Sequence, residues 1–321
     1  MKKFMTGCGI AALIFLMLGL ALAIAAGTVR GRTTIARVVE TVTGGRVSIN
    51  FDNFINWGIQ LGDNISGSLP DTGYRIDDAD SFDSRYDIWG GDMEKFCLGE
   101  DVEVLEIEAG GCIFNTQVSG DNSFYVKVSD SGKFQAYLEN GTLYIRTTTS
   151  SRSWNNMNSC RVTLYVPEGY HYREADIELG AGELKFESLD ADKVSLGVGA
   201  GQITANGLKA DSLELEIGMG QIDIKNVKVK DLEAEIGMGN LMVEGAIDGN
   251  VDANCSMGNL DLKITGSQQD FNYKLDGAMG NIDLGSESYS GLGVSKKIDN
   301  GALKNMEIEC AAGNITISFT N

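Results

Sequence analysis

An internal repeat that starts at Gly180 limits the possible folds of this chain more than any other feature of its sequence. Five units begin 19 residues apart, and two more follow after longer intervals of 22 and 33 residues. The units begin at Gly180, Gly199, Gly218, Gly237, Ser256, Ala278 and Ala311. We expect the three and fourteen extra residues of the longer intervals to lie in loops.

Within each unit, apolar and polar residues alternate. Leu213, Leu215 and Ile217, for example, are separated by Glu214 and Glu216. This period of two is typical of a half-buried strand, whereas a helix would repeat every three to four residues. Three short strands with corners between them fit into one unit. The sequence therefore predicts an all-β fold, a parallel β-solenoid (β-helix) with 19-residue coils.

The third position of every unit is glycine. These glycines are Gly182, Gly201, Gly220, Gly239, Gly258, Gly280 and Gly313. We interpret them as a structural repeat corner, required by a special backbone conformation or by a close approach that a Cβ would obstruct. The methionines that precede several of them are expected to fill the interior, and the following Asn or Gln to hydrogen-bond between coils. The alternative is an anion cradle, but no helical spacing and no suitably placed lysine follow the motif.

Three regions are predicted along the chain. Residues 1–30 form an N-terminal transmembrane helix or an uncleaved signal, and residues 31–101 a juxtamembrane helix followed by an acidic linker that contains aromatic residues. Residues 102–321 form the β-solenoid, with regular repeats from 180 and irregular first coils or a cap before them. Within this cap, Asn140-Gly141 is typical of a hairpin turn.

The N-terminal segment carries no charge from Phe4 to Val29. This length favours a membrane-spanning helix, which needs about 20 apolar residues, over a signal core of about 7 to 15. Ala21-Leu22-Ala23 also fits a cleavage site, which leaves removal of the segment as the alternative. The arginines after the span oppose the orientation that Lys2 and Lys3 suggest. We favour a single-pass protein of the cell membrane with an extracytoplasmic C-terminal domain.

The linker has two features that each allow two interpretations. Ile35, Val38, Val39 and Val42 indicate a short amphipathic helix, which lies against the membrane or caps the first coil. Ten carboxylates between Asp71 and Asp101 could bind calcium or a partner. No calcium-loop spacing is evident there, which favours a solvated loop.

Charge and cysteine content exclude several classes of protein. The formal net charge of -19 argues against nucleic acid as a partner, because phosphates are bound by clusters of Lys and Arg. The six cysteines include no CxxC pair, which excludes common zinc and thioredoxin motifs. Cys255 and Cys310 occupy an apolar position of the repeat and are expected to be buried thiols. Cys112 and Cys160 could form a disulfide.

A family resemblance supports this interpretation of the repeat. Val162-Thr163-Leu164-Tyr165-Val166-Pro167-Glu168-Gly169, followed by the G-x-G-[QN]-[LI] units, resembles the putative-adhesin domain of unknown function, a β-strand repeat domain in surface proteins of Gram-positive bacteria. The resemblance covers about residues 100 to 321. It implies a surface location and a β-solenoid, and it implies no catalytic residue.

Candidate catalytic residues are few. His171 is the one histidine, which is too little for a His-rich metal site. Carboxylates such as Asp223 and Asp261, or Asp176 with Arg173, could serve a polysaccharide lyase, yet alternating strands expose such residues anyway. We therefore assign no catalytic, cofactor-binding or metal-binding residue and no cofactor.

The sequence predicts a non-catalytic, membrane-anchored module for cell-surface binding, adhesion or an envelope scaffold, with an unidentified surface or envelope ligand. One alternative is a β-helix polysaccharide lyase or hydrolase. The other is a filament-forming scaffold, because the chain stops directly after a strand, at Ile317-Ser318-Phe319-Thr320-Asn321. End-to-end self-association is open unless residues 286–300 cover that end.

Overall fold

The computed structural model describes residues 87–89, 93–96, 102–129, 133–147, 161–290 and 293–320. The strands are β1 (Asp87–Trp89), β2 (Met93–Phe96), β3 (Val104–Ala109), β4 (Cys112–Val118), β5 (Phe124–Ser129), β6 (Lys133–Glu139), β7 (Thr142–Thr147), β8 (Arg161–Val166), β9 (His171–Leu179), β10 (Gly182–Phe186), β11 (Leu189–Val198), β12 (Gln202–Ala205), β13 (Leu208–Ile217), β14 (Gln221–Ile236), β15 (Asn240–Ile247), β16 (Val251–Cys255), β17 (Asn259–Thr265), β18 (Phe271–Gly277), β19 (Asn281–Leu284), β20 (Glu287–Ser290), β21 (Val294–Ile298), β22 (Lys304–Cys310) and β23 (Asn314–Thr320). One turn of 3-10 helix, Gln268–Asp270, precedes β18. The prediction of an all-β fold is confirmed.

The strands form two ladders that share the long strand β14. The first ladder has the order β2, β5, β8, β4, β10, β12, β14, β15, β17, β23, β19, β20. The second has the order β1, β6, β7, β3, β9, β11, β13, β14, β16, β22, β18, β21. Antiparallel pairs occur at the two ends of each ladder, and the strands between them are parallel. The arrangement is β-solenoid-like.

The 19-residue period sets the register of the parallel pairs. Leu184 pairs with Ile203, Ile203 with Ile222, and Ile222 with Leu241. Each of these aliphatic residues is at most 2% exposed. They form a continuous buried column, and the inner faces of both ladders contribute to one hydrophobic core. Successive units therefore bury their apolar positions on one another.

The last repeat unit does not lie at the end of the stack. Its strand β23 pairs with β17 on one side and with β19 on the other, and β22 likewise lies between β16 and β18. The unit that is last in sequence is thus inserted between the fifth and sixth units. The strand β23 is therefore an internal strand of the stack, and not the open strand edge that the filament alternative places there.

The fourteen-residue insertion is also different from our expectation of a loop. It contains β20 and β21, which pair antiparallel with β19 and β18 and form the outer strands at this end of the stack. Residues 286–300 thus cover the sixth unit. The hairpin expected at Asn140-Gly141 joins β6 to β7, and both residues have positive φ, 50° and 78°.

Several expectations fall outside the described residues. These are the membrane-spanning segment, the helix at residues 35–42, and Cys8, Cys97 and Cys160. Of the acidic linker, only the backbones of β1 and β2 are described. Within the described part of the chain, no helix has the length and apolar character needed to cross a bilayer.

Candidate binding surface

The repeat glycines lie where neighbouring coils approach closely. A Cβ on Gly220 would be 2.5 Å from the carbonyl oxygen of Gly201 and 2.9 Å from Cγ2 of Val198. Gly201 has the same relation to Gly182, with 2.8 Å to its carbonyl oxygen. Gly182 alone among the seven corner glycines has a positive φ, of 111°. Close approach, rather than backbone conformation, is therefore the common reason for glycine at this corner.

Met219 and Met238 at the corner are exposed, which corrects our expectation of interior packing, and Met257 and Met279 are half-buried. The exposed fraction is 53% for Met219 and 38% for Met238. The interior at this level is already filled by the aliphatic residues at both ends of the unit. The Asn or Gln that follows the corner glycine was expected to hydrogen-bond between coils, and the structure shows this in two places. Asn259 donates from Nδ2 to Oδ1 of Asn240 at 2.7 Å, and Asn314 donates to Asn259 at 3.1 Å.

Two candidate acid–base residues, His171 and Arg173, lie on β9 and pair with different carboxylates. His171 is exposed, and its ring nitrogens lie 2.7 Å from Asp190 and 3.1 Å from Asp192. The hydrogen bond to Asp190 raises the pKa of His171 above its ordinary value. Arg173 pairs with Glu103 at 3.5 Å.

The carboxylates named as lyase candidates are on different ladders. Asp223 and Asp261 belong to the first ladder. Met242 lies between them, as the register partner of both. Asp176 belongs to the second ladder. The structure therefore does not bring these three carboxylates together into one site.

The strongest surface feature is the outer side of the second ladder, which we call the acidic face. Twelve outward carboxylates define it, and they form two columns that run along the stack. The first column contains Glu106, Asp176, Glu214, Glu233, Asp252 and Glu307. The second contains Glu108, Glu178, Glu216, Glu235, Glu309 and Asp276. Because neighbouring rungs are about 4.8 Å apart, like charges are direct neighbours along each column except where Ser195, Gly197 or Asn254 interrupts it.

Parallel pairing produces this arrangement directly. Glu214 pairs in register with Glu233, and Glu216 with Glu235, so each alternating Glu-x-Glu segment aligns with the next. The intervening Leu215 and Ala234 are buried. Burial of one side of the strand thus places every carboxylate on the other side.

The acidic face has raised carboxyl pKa values on β9, towards one end of the columns. Partial burial between neighbouring strands, together with repulsion from Asp176, Glu108 and Glu216, raises the pKa of Glu178. Partial burial and repulsion from Glu106 raise the pKa of Asp176 in the same way. The face is therefore an area of like charge whose repulsion is not fully relieved.

Basic side chains neutralise the acidic face only in part. Arg146 lies 2.8 Å from Glu106, and Lys274 pairs with Glu307. Lys193 lies 3.9 Å from Glu214. Within the described ranges, no ion pair involves Glu233, Glu235 or Asp252. The centre of the face thus retains uncompensated negative charge that can attract a cationic partner.

We expect the acidic face to make the folded protein less stable as pH rises above the ordinary carboxyl pKa of about 4. A carboxyl group whose pKa is raised by folding binds more protons in the folded than in the unfolded state, and that advantage is lost as pH rises through the folded pKa. Glu178→Gln should remove the share of this pH-dependent loss of stability that comes from Glu178. Its melting temperature at pH 7 should exceed that of the wild type by about 1–3 °C.

Differential scanning calorimetry of both proteins at pH 5 and 7 measures this effect. The difference in melting temperature between variant and wild type should shrink at pH 5. Glu187→Gln is the matched control, since Glu187 is exposed and lies off the acidic face. A Glu178→Gln protein that melts lower than the wild type at pH 7 would contradict the repulsion.

Comparisons with known proteins find one matching family and several similar solved structures. The Toastrack DUF4097 family matches residues 103–285 and 188–318. A putative lipid binding protein from Parabacteroides distasonis is 16% identical over 71% of this chain and 98% of its own, with a TM-score of 0.41. A putative adhesin from Parabacteroides merdae is 12% identical over 73% and 99%, with a TM-score of 0.43. A putative cell adhesion protein from Clostridium sporogenes is 14% identical over 71% and 99%, with a TM-score of 0.32.

No curated protein matches the sequence. The family match covers more than half of the chain and includes the segment from Val162 to Gly169 and the glycine corners. The predicted resemblance to a domain of unknown function is thereby confirmed. The chain belongs to the Toastrack DUF4097 family.

Proposed function

We propose that this protein is a membrane-anchored, extracytoplasmic binding module that engages a cationic partner through its acidic face. The observation that carries the proposal is the column of carboxylates at Glu214, Glu233 and Asp252, in register on consecutive strands. Like charges directly opposite one another on a sheet are destabilising. A basic partner would relieve this repulsion when it binds. The free energy of repulsion that is released would then add to the binding affinity.

The geometry of the face suits an extended partner. Its carboxylates follow the axis of the stack at intervals of about 4.8 Å and are supported by rigid parallel strands. Basic groups spaced along a polymer or a protein segment could contact several carboxylates at once. The gain would be the sum of several weak ion pairs, each of about 0.2–1 kcal/mol.

The anchor and the extracytoplasmic location are supported by the sequence. The uncharged stretch from Phe4 to Val29 is long enough to span a bilayer. The Toastrack family and the sequence's single histidine are compatible with a role in binding rather than in catalysis. The protein's part at the surface would be adhesion or an envelope scaffold.

The binding proposal is tested with the full chain in zwitterionic detergent and poly-L-lysine as the probe. We expect saturable binding at low ionic strength that weakens steadily as salt is added, because the Debye length falls from about 30 Å at 0.01 M to about 8 Å at 0.15 M. Poly-L-glutamate is the control polymer and should not bind. Equal binding of both polymers, or no binding of poly-L-lysine at low salt, would reject the proposal.

The location is tested separately, by protease treatment of intact cells that express the protein. Digestion of the C-terminal domain before lysis would support an extracytoplasmic position. Complete protection until lysis would reject it. The result does not depend on the binding assay, so the two parts of the proposal fail or stand independently.

A further inference from the structure

Two buried cysteines are direct neighbours where the last repeat unit is inserted. Cys255 ends β16 and Cys310 ends β22, and the two are register partners across this parallel pair. They are 3% and 2% exposed. Both are free thiols in the structure. We propose that Cys255 and Cys310 form a reversible disulfide that fastens the inserted C-terminal coil to the coil beside it.

The backbone geometry allows this bond. Register partners on neighbouring parallel strands lie about 4.8 Å apart, within the range of about 4.4–6.8 Å between the Cα atoms of disulfide-bonded cysteines. The residue on the other side of Cys310 in the same row is Gly277. Because glycine has no side chain, no side chain from that strand lies beside Cys310 in this row.

The corner glycines provide the remaining space. A Cβ on Gly313 would be 2.8 Å from the sulfur of Cys255. A Cβ on Gly280 would clash with the sulfur of Cys310. The two sulfurs thus lie against corners that lack side chains.

A groove borders the strand ends that carry the pair. It has a volume of about 560 Å³, and both cysteines line it together with Gly277, Val294 and Ser295. The side chain of Cys255 donates a hydrogen bond to the sulfur of Cys310, which lowers the pKa of Cys310 and raises that of Cys255. Cys310 is therefore the more readily ionised thiol and the expected first nucleophile.

The oxidation uses an external low-molecular-weight disulfide as its oxidant. The thiolate of Cys310 attacks one sulfur of that disulfide, a mixed disulfide forms, and one small thiol leaves with its proton. Cys255 then loses its proton and attacks the sulfur of Cys310, which releases the second small thiol. Two protein thiols have lost two electrons, and one external disulfide has been reduced to two thiols.

The full-length protein, folded and in detergent, is incubated with oxidised glutathione and then digested without reduction. We expect mass spectrometry to find the Cys255–Cys310 crosslinked peptide, lighter than the two separate peptides by two hydrogen atoms. Peptide mapping separates this bond from any that involve Cys8, Cys97, Cys112 or Cys160. Recovery of Cys255 and Cys310 as free, alkylatable thiols after this treatment would overturn the proposal.

A second measurement tests the fastening. Cys255 and Cys310 are 55 positions apart, and closing a loop of this length should raise the melting temperature by about 5–10 °C. Dithiothreitol should reverse the increase. Cys255→Ala and Cys310→Ala should each abolish it, whereas Cys112→Ala should retain it. A crosslinked protein that melts at or below the temperature of the reduced form would overturn the fastening role.

Discussion

Gly220→Val is expected to lower the free energy of unfolding by about 3 kcal/mol or more, and the melting temperature by about 5–10 °C. A Cβ at this position would lie 2.5 Å from a backbone oxygen of the preceding coil. Backbone in a parallel stack cannot give way locally, because Gly201 is held in turn by Gln221, whose backbone N–H donates to its carbonyl at 3.0 Å. The two γ-methyl groups of valine add to this clash.

The matched comparison uses alanine. Gly220→Ala should already cause much of the loss, although a glycine-to-alanine change at a compatible site stabilises a protein by about 0.4–1 kcal/mol. Gly207→Ala is the control, because its nearest neighbour would be 3.6 Å away, an ordinary contact. We expect that control to be neutral or slightly stabilised. Chemical denaturation monitored by circular dichroism compares them, and equal stability of both alanine variants would contradict the close-approach explanation.

The repeat in the sequence predicted the strands and their register because each unit has the same inward positions. Leu184, Leu215 and Ile222 are buried as the alternation required. Because the units are alike at these inward positions, the sequence did not predict the order in which they stack. Leu260 could pair equally well with Ile282 or with Ile315, since both are aliphatic at the fifth position. The structure pairs it with Ile315.

The position of the last unit depends on residues outside the repeat. The fourteen-residue insertion pairs as β20 and β21 on the outer side of the sixth unit, which leaves only its inner side for another coil. Phe319 also lies against Phe271, with ring centroids 6.3 Å apart. Pairings of this kind between segments distant in sequence have no local signal.

The acidic face does have a signal in the sequence. Glu106-Ile107-Glu108, Asp176-Ile177-Glu178, Glu214-Leu215-Glu216, Glu233-Ala234-Glu235 and Glu307-Ile308-Glu309 share the pattern acid, apolar, acid. In each segment the apolar residue is buried, so the two acids point outward together. Aligning the units shows that these segments recur at one place in the coil. Which segments become neighbours still depends on the stacking order.

Reversing the charge of two carboxylates at the centre of the acidic face is expected to weaken binding of poly-L-lysine by about tenfold or more. The double variant Glu214→Lys/Glu233→Lys removes two attractive contacts and adds two repulsive ones. If each is worth about 0.2–1 kcal/mol, their sum reaches the 1.4 kcal/mol that corresponds to a tenfold change. Both side chains are exposed, so the folded protein should tolerate the change.

The control variant has the same net charge as Glu214→Lys/Glu233→Lys, but its two charge reversals lie elsewhere on the surface. Asp211 and Asp299 are exposed and lie outside the acidic face, so Asp211→Lys/Asp299→Lys changes the total charge equally. Titration of each variant with poly-L-lysine at low ionic strength, followed by fluorescence anisotropy, gives the affinities. A local site predicts near wild-type affinity for the control and a shallower salt dependence for the Glu214→Lys/Glu233→Lys protein. Equal weakening of the two variants would mean that overall charge, rather than the arrangement of carboxylates on this ladder, attracts the polymer.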